Sequence, residues 1–533
     1  MRIFILIAIL SVTISFSTAD KIKVGKFNEV ENFIHRSRSE LHQSLLRLNV
    51  GLNALRNYLD DYNVNGHQHN GLRSVCRVVD KYFIKVYEIL QTHKSAASLK
   101  DLNNSAQLLE QLLSIARTII VGPKDEYDVT RQILSVDQTM MKSMMEMDTF
   151  WLEPSMKLPW KMYRAIYCLT LHPTHLELFN KTHVLDTAAK FSYEGDIQDL
   201  ITLRHFWETQ ATNTSDEVQM RLMESPNQFD FVIDQNGKIS RGNISRTKRN
   251  IESLIISDGP PNGDIIFHTH GGGFLEMRPQ GHSIYLQNWA QQMPGITIVS
   301  VNFRLGPEHK YPASLQDILD VYLWLTNHKT QHEVSQSIGF IPRKIVVFGD
   351  SGGGNLGLSL LNVLHRIDWP RKPDGIFLLY PLITPTLKNI TKFSHALMTI
   401  DPILSTSAFF SWTDAYAPGE TMKRDSPWYR SKDLETRLDE IDLKAQSDEL
   451  FNPILNGFEA LGIIPIVTIV GESDPLLDES IELIRHWPND LIELHVIKGQ
   501  THAFPLMADK SQAAKRDTNY CVQKLIELFD RIS

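Results

Sequence analysis

Ser351 stands in the run Gly349-Asp350-Ser351-Gly352-Gly353, directly after the apolar stretch Lys344–Phe348 and before the helix-like stretch Leu356–His365. A hydroxyl between glycines at a strand-to-helix junction is the sequence form of a nucleophile elbow. The turn is too tight for side chains at the flanking positions, which leaves the serine at its tip. A phosphate-binding loop also joins a strand to a helix, but it needs a lysine after its glycines and none follows here. The pattern G-x-S-x-G alone recurs by chance; the strand before it and the helix after it set this copy apart. A hydroxyl attacks only once a base has taken its proton, so a histidine and an orienting acid must follow in the chain. Asp474 lies just past the apolar run Ile466–Val470, and His502 just past Leu491–Ile497. Both fall at the C-terminal ends of successive strands, where open α/β sheets bind ligands. Glu472 and Asp478 flank Asp474, but Asp478 suits the first turn of a helix, where a carboxylate complements the dipole. His495 falls inside a strand. The expected roles are therefore Ser351 as nucleophile, His502 as base and Asp474 as the acid that orients it.

A second motif completes the chemistry. The run Phe267-His268-Thr269-His270-Gly271-Gly272-Gly273-Phe274 follows the first strand of the second half. Negative charge that develops on a carbonyl oxygen needs main-chain N–H groups at close range, and glycine permits that approach. Gly271, Gly272 and Gly352 are the expected donors of this oxyanion hole. Together the motifs imply acyl transfer from an ester through a covalent intermediate, with no metal or organic cofactor. His268 and His270 form a pair without a third ligand, so a strand-packing role suits the first and a loop-positioning role the second. His67 and His69 in the polar run Asn63–Asn70 read as solvated loop residues for the same reason.

These residues need a frame. From about residue 260, apolar runs at Ile265–Phe267, Ile296–Val301, Lys344–Phe348, Ile376–Leu379, Ile466–Val470 and Leu491–Ile497 alternate with helix-like stretches, among them Leu315–Leu325, Asp478–Arg485 and Ala514–Phe529. That alternation is the signature of a mostly parallel sheet covered on both faces, an α/β class. The first half reads as helical, with stripes at Val30, Phe33, Ile34, Leu41, Leu45 and Leu48, at Leu72, Val75, Val79, Phe83, Val86 and Leu90, and at Leu102, Ala106, Leu109, Leu113, Ala116 and Ile119. At 533 residues the chain exceeds one hydrophobic core. The expected division is a helical unit over 20–240 and a catalytic unit over 255–533, joined by a polar, basic connection around Asn236–Asn250. Arg246-Thr247-Lys248-Arg249 inside it has the form of a processing site, but a solvated linker is the preferred reading.

Residues 1–19 read as a secretory signal: Arg2, an apolar run from Ile3 to Phe16, and small residues before Asp20. Sequons at Asn103, Asn180, Asn213, Asn243 and Asn389 would suit a lumenal route. The three cysteines Cys76, Cys168 and Cys521 build no disulfide scaffold. A net charge of -8 gives no electrostatic case for binding nucleic acid.

At these residues the chain resembles the hormone-sensitive lipase family. The resemblance rests on His270–Phe274, Phe303–His309 (F-R-L-G-P-E-H), Tyr311-Pro312-Ala313, Gly349–Leu356, Tyr380-Pro381 and Asp474–Asp478 (D-P-L-L-D), and covers 260–533. Asn70–Ser74 and His205–Trp207 extend a looser likeness to the N-terminal domain of the family's animal members. The resemblance implies an α/β-hydrolase fold, and acylglycerols or sterol esters as substrates at a lipid-droplet or membrane surface. A short-chain carboxylesterase and a non-catalytic binding protein on the same fold are the other readings. The helical half would dock lipid or mediate a homodimer. Animal members work in the cytosol and on lipid droplets, which sets that localisation against the secretory one. They also carry a long phosphorylated insert where this chain has only Pro418–Leu450, in which Lys423-Arg424-Asp425-Ser426 has the form of a kinase site. Gly352 stands where the family has alanine, Phe303 where it has tyrosine, and Ala503 where it has glycine.

Overall fold

The computed structural model describes residues 39–55, 71–92, 96–133, 218–226, 231–241 and, with interruptions of which 420–431 is the longest, 249–532. Residues 1–19, His67, His69, Asn180, Asn213, Asn243, Asn389, Arg246, Thr247, Lys248 and Ser426 lie outside the described residues.

The strands are β1 (Gln219–Pro226), β2 (Phe231–Ile233), β3 (Ile239–Arg241), β4 (Asn250–Ser257), β5 (Ile265–Thr269), β6 (Thr297–Val301), β7 (Ile345–Asp350), β8 (Gly375–Leu379), β9 (Ile466–Gly471) and β10 (Ile492–Ile497). Eight of them form one sheet in the order β1-β4-β6-β5-β7-β8-β9-β10. β4 runs antiparallel to both β1 and β6, and all pairs from β6 to β10 are parallel. The six apolar runs read from the sequence are β5 to β10. β5 to β9 were conspicuous because a parallel strand covered on both faces has no polar side, whereas β10 is half-buried and carries Glu493 and His495 among its apolar residues. Successive residues feed opposite faces: Ile265, Phe267, Ile345 and Val347 enter one core, while Ile266, Val346 and Phe348 enter another.

The described helices include α1 (Gly71–Thr92), α2 (Ala96–Val121), α3 (Pro279–Gln292), α4 (Ala313–Thr326), α5 (Gln331–Ile338), α6 (Gly352–Arg366), α7 (Thr406–Tyr416), α8 (Lys432–Ser447), α9 (Leu477–His486) and α10 (Gln512–Arg531). α4 and α6 cover one face of the sheet, with α6 on β7. α3 and α10 cover the other and bury Trp289, Leu286, Leu525 and Leu528 against Phe348 and Phe377. Among the described residues, no helix is long and apolar enough to cross a membrane.

The helical stripes of the first half form a real interface. Leu41, Leu45 and Leu48 in the helical residues 39–55 are buried with Leu72, Val75 and Val79 of α1 and Ala106, Leu109, Leu113 and Ala116 of α2. Both α1 and α2 pack on a 3-10 turn, Phe393–Thr399, that belongs to the second half.

The boundary at 240–255 needs correction. β1 lies inside 20–240 yet is the outermost strand of the catalytic sheet, paired with β4 from Gln219↔Ser257 to Pro226↔Asn250. The connection around Asn236–Asn250 contains β3, and the β2–β3 hairpin is held to α4, where the Gln316 amide accepts from Ile233 N–H (2.8 Å) and donates to the Phe231 carbonyl (3.2 Å). Arg249 is no solvated linker residue either, since it pairs with the buried Asp317, which also takes Arg304. β1 escaped notice because its residues are mostly exposed and make no apolar run.

Candidate active site

β5 has β6 on one side and β7 on the other, so the direction of winding reverses between β5 and β7. Their C-terminal ends therefore splay their following loops apart and open a crevice. The loop after β5 is His270–Gly273 and the turn after β7 is Ser351, so topology alone brings the two glycine motifs together.

Ser351 adopts φ 53 and ψ -124, a conformation that side chains rarely accept and that marks stored backbone strain. The glycines around it make the turn possible: a Cβ on Gly353 would drive into the Thr269 carbonyl, and one on Gly349 would lie 2.6 Å from the Gly353 carbonyl oxygen. The turn is fixed by Ser351 N–H donating to Leu379 (3.0 Å) and Leu382 N–H donating to the Ser351 carbonyl (2.9 Å).

Ser351, His502 and Asp474 are brought together. Ser351 Oγ lies 2.9 Å from His502 Nε2, and His502 Nδ1 lies 3.1 Å from both carboxylate oxygens of Asp474. Asp474 is held in turn by the Leu476 N–H at 2.8 Å. This pairing places the proton on Nδ1 and leaves Nε2 to accept from the serine hydroxyl. The Tyr380 ring and the imidazole make a T-shaped contact, with centroids 4.8 Å apart. Burial alone would push the His502 pKa down; the charges of Asp474, Asp401 and Asp350 outweigh it and raise it above the ordinary value. Ala503, next in the chain, has φ 55, a left-handed conformation where glycine carries no steric cost.

The other acids and histidines considered from the sequence serve elsewhere. Asp478 opens α9, and its carboxylate accepts from Gly71 N–H (2.8 Å) and Ser394 N–H (2.9 Å). Glu472 pairs with Arg77 of α1 and accepts from Gly499 N–H. His495 meets the Tyr520 hydroxyl and Glu493 on β10. His270 stacks on Phe303 with ring centroids 4.1 Å apart. Among the described residues, no cluster of three or more His, Cys, Asp or Glu could hold a metal.

Of the expected oxyanion donors, Gly271 is not available. Its N–H donates to Asp350 Oδ1 at 3.0 Å. Asp350 also accepts from His268 Nε2 (3.0 Å) and His282 Nε2 (3.1 Å), and His268 Nδ1 takes the Ser300 hydroxyl at 2.8 Å. Burial would raise the Asp350 carboxyl, but His282 and His268 hold it well below the usual carboxylate range. The residue before the nucleophile thus ties the glycine loop to the elbow and consumes the first N–H in doing so. Among the described residues, the N–H groups of Gly272, Gly273 and Gly352 donate to no protein acceptor. A Cβ on Gly352 would lie 3.5 Å from Gly273 Cα, which sets the third glycine of the loop beside the first residue after the nucleophile. The loop is braced from outside by α7: Trp412 Nε1–H donates to Glu276 at 2.9 Å, and Phe274 stacks on Tyr416 at 4.0 Å. Asp350 was missed because His282, one of its partners, lies on a helix with no local link to the motif. The only sequence signal was an acid beside the serine.

Comparison with known proteins finds the following similarities. The α/β hydrolase fold family matches residues 266–506. Hormone-sensitive lipase of Mus musculus is 33% identical over 163 residues, which are 30% of this chain and 20% of the mouse protein. Ethyl acetate hydrolase of Pseudomonas putida is 25% identical over 321 residues, 58% of this chain and 89% of that enzyme. The crystal structure of an esterase from the bacterial hormone-sensitive lipase family aligns with 72% of this chain and 99% of its own, at 19% identity and a TM-score of 0.47. The match therefore spans about a fifth of the mouse protein's length.

Proposed function

We propose, from the premise that residues 266–506 are an α/β-hydrolase domain of the hormone-sensitive lipase family, that the protein is a serine hydrolase of carboxylic esters. The observation that carries this reading is the continuous relay Ser351 Oγ–His502–Asp474, set beside three main-chain N–H groups with no protein acceptor among the described residues. His502 Nε2 takes the hydroxyl proton as Ser351 Oγ bonds to the ester carbonyl carbon. Asp474 holds the imidazole in the required tautomer and stabilises the imidazolium. The carbonyl oxygen becomes an oxyanion facing Gly272, Gly273 and Gly352, where each N–H contributes about 3 kcal/mol to the transition state. Collapse expels the alcohol, which receives the proton from His502. Water then attacks the acyl-enzyme by the same route and releases the acid.

Ser351→Ala tests this directly: hydrolysis of a chromogenic ester should vanish while the fold remains, and unchanged turnover would reject the mechanism. For substrates, the likeness to hormone-sensitive lipase favours acylglycerols or sterol esters at a lipid surface. The coverage of nearly all of ethyl acetate hydrolase favours short soluble esters. Turnover of dispersed triacylglycerol against a soluble butyrate ester separates the two. A non-catalytic binding protein would have no use for an aligned relay, and labelling by a fluorophosphonate decides against it. The secretory route suggested by residues 1–19 and a homodimer through the helical half remain part of the same proposal.

A further inference from the structure

Asp401 lies in the strap that leads from β8 to α7 and is 1% exposed. The strap is stitched to the loop and helix after β9. Ser394 Oγ donates to the Pro475 carbonyl at 2.7 Å, and His395 Nε2 meets Glu479 at 3.2 Å. At its far end Asp401 makes two kinds of contact. Oδ1 accepts from Ile403 N–H (2.9 Å) and Leu404 N–H (2.7 Å), an ordinary aspartate turn. Oδ2 accepts from the main-chain N–H of His502 at 3.1 Å, from a loop distant in sequence. A turn needs only the first oxygen. The second carries the carboxylate to the histidine itself.

Building on the ester hydrolase reading, we propose that Asp401 is a positioning residue for that reaction. It holds the His502 main chain in register with Ser351 and keeps an anionic charge beside the imidazolium. The imidazole then sits between two acids from different segments: Asp474 grips Nδ1, and Asp401 grips the backbone. Asp350 from the elbow adds to the same field, and the Tyr380 ring packs against the imidazole. Burial, helped by the charge of Asp474, raises the Asp401 carboxyl to about 6 against the pull of the imidazolium and of the N–H groups it accepts from. Removing its charge leaves the imidazolium with one fewer anionic neighbour, so the proton leaves His502 at lower pH.

Asp401→Asn and Asp401→Ser both remove the charge while keeping a side chain able to form the turn. Each is compared with the wild type and Ser351→Ala on a soluble butyrate ester across pH, with rates divided by the active-site titre from a fluorophosphonate. The expected result is a kcat lower by about 10-fold to 100-fold with KM little changed. The acid limb of kcat/KM should move down by about half a pH unit or more. Unchanged kcat, or a fallen kcat with an unmoved acid limb, overturns the proposal; so does failure of both variants to fold, which would assign Asp401 to the fold alone. Failure of the ester hydrolase reading looks different: the wild type itself would escape labelling and match Ser351→Ala.

Discussion

Asp350→Asn is the perturbation that most sharply separates a catalytic site assembled by packing from one tied together by a buried charge. Asp350 Oδ1 serves two donors, His268 Nε2 and Gly271 N–H, and Oδ2 serves His282 Nε2. An asparagine keeps one oxygen for the first pair but turns an amide N–H₂ toward His282. His282 can answer by moving its proton to Nδ1, which faces the Arg278 carbonyl at 3.3 Å, so that Nε2 accepts from the amide. The hydrogen bonds that His268, His282 and Gly271 made to an anion become bonds with a neutral amide, each weaker by about 1–1.5 kcal/mol. These overlap, so about 2–4 kcal/mol of destabilisation is expected. The site is fully enclosed, and no solvent screening reduces it. Gly271 would be held more loosely and the oxyanion loop with it, lowering kcat about 10-fold, well short of losing a donor outright. Urea unfolding followed by tryptophan fluorescence and by loss of esterase activity reads the first quantity, and steady-state kinetics the second. A midpoint and a kcat both equal to wild type would refute the role given to Asp350.

Further outcomes follow from the same geometry. Because the His502 pKa is raised, and the imidazole works as a base only when neutral, kcat/KM should fall as pH drops, with a midpoint above about 6.5; a pH–rate profile with its limb at or below that value would contradict the assignment. Gly273→Ala should cut kcat by about 10²–10³-fold, because φ is +60 and the new methyl meets the Trp412 indole, so the N–H cannot stay aimed at the oxyanion; kinetics equal to wild type would return the role to other donors. Ala503→Gly should raise the melting temperature or leave it unchanged, by relieving up to about 1 kcal/mol of left-handed strain, and a clear loss of stability would argue against that conformation. A chain starting at residue 242 should be insoluble, since it lacks β1 and the hairpin anchored on Gln316 and exposes the edge of β4; recovery of a soluble, active fragment would restore the sequence-derived boundary.

The strands from β5 to β9 were legible because burial on both faces leaves continuous apolar runs, and β10 because four of its six residues are apolar; the serine, aspartate and histidine could be picked out because each closes one of these strands. β1 was not, since an outer strand with one solvated face carries no such run. Which glycine amides face the elbow could not be read from H-G-G-G, because the answer depends on Asp350 capturing the first of them. The alanine at 503 was visible as a departure, but its cost appears only with its backbone angle. Asp401 left no mark at all: its sequence reads as a turn, and its second contact is made to a loop a hundred positions away.

The central claim is that the Ser351 hydroxyl carries the acyl group. Rapid acid quench after mixing with p-nitrophenyl butyrate, followed by peptide mass spectrometry, should find a butyryl group on Ser351 in the wild type, formed far more slowly in His502→Ala and absent in Ser351→Ala. An adduct on another residue, or turnover with no acyl-enzyme and no burst in any variant, would contradict it.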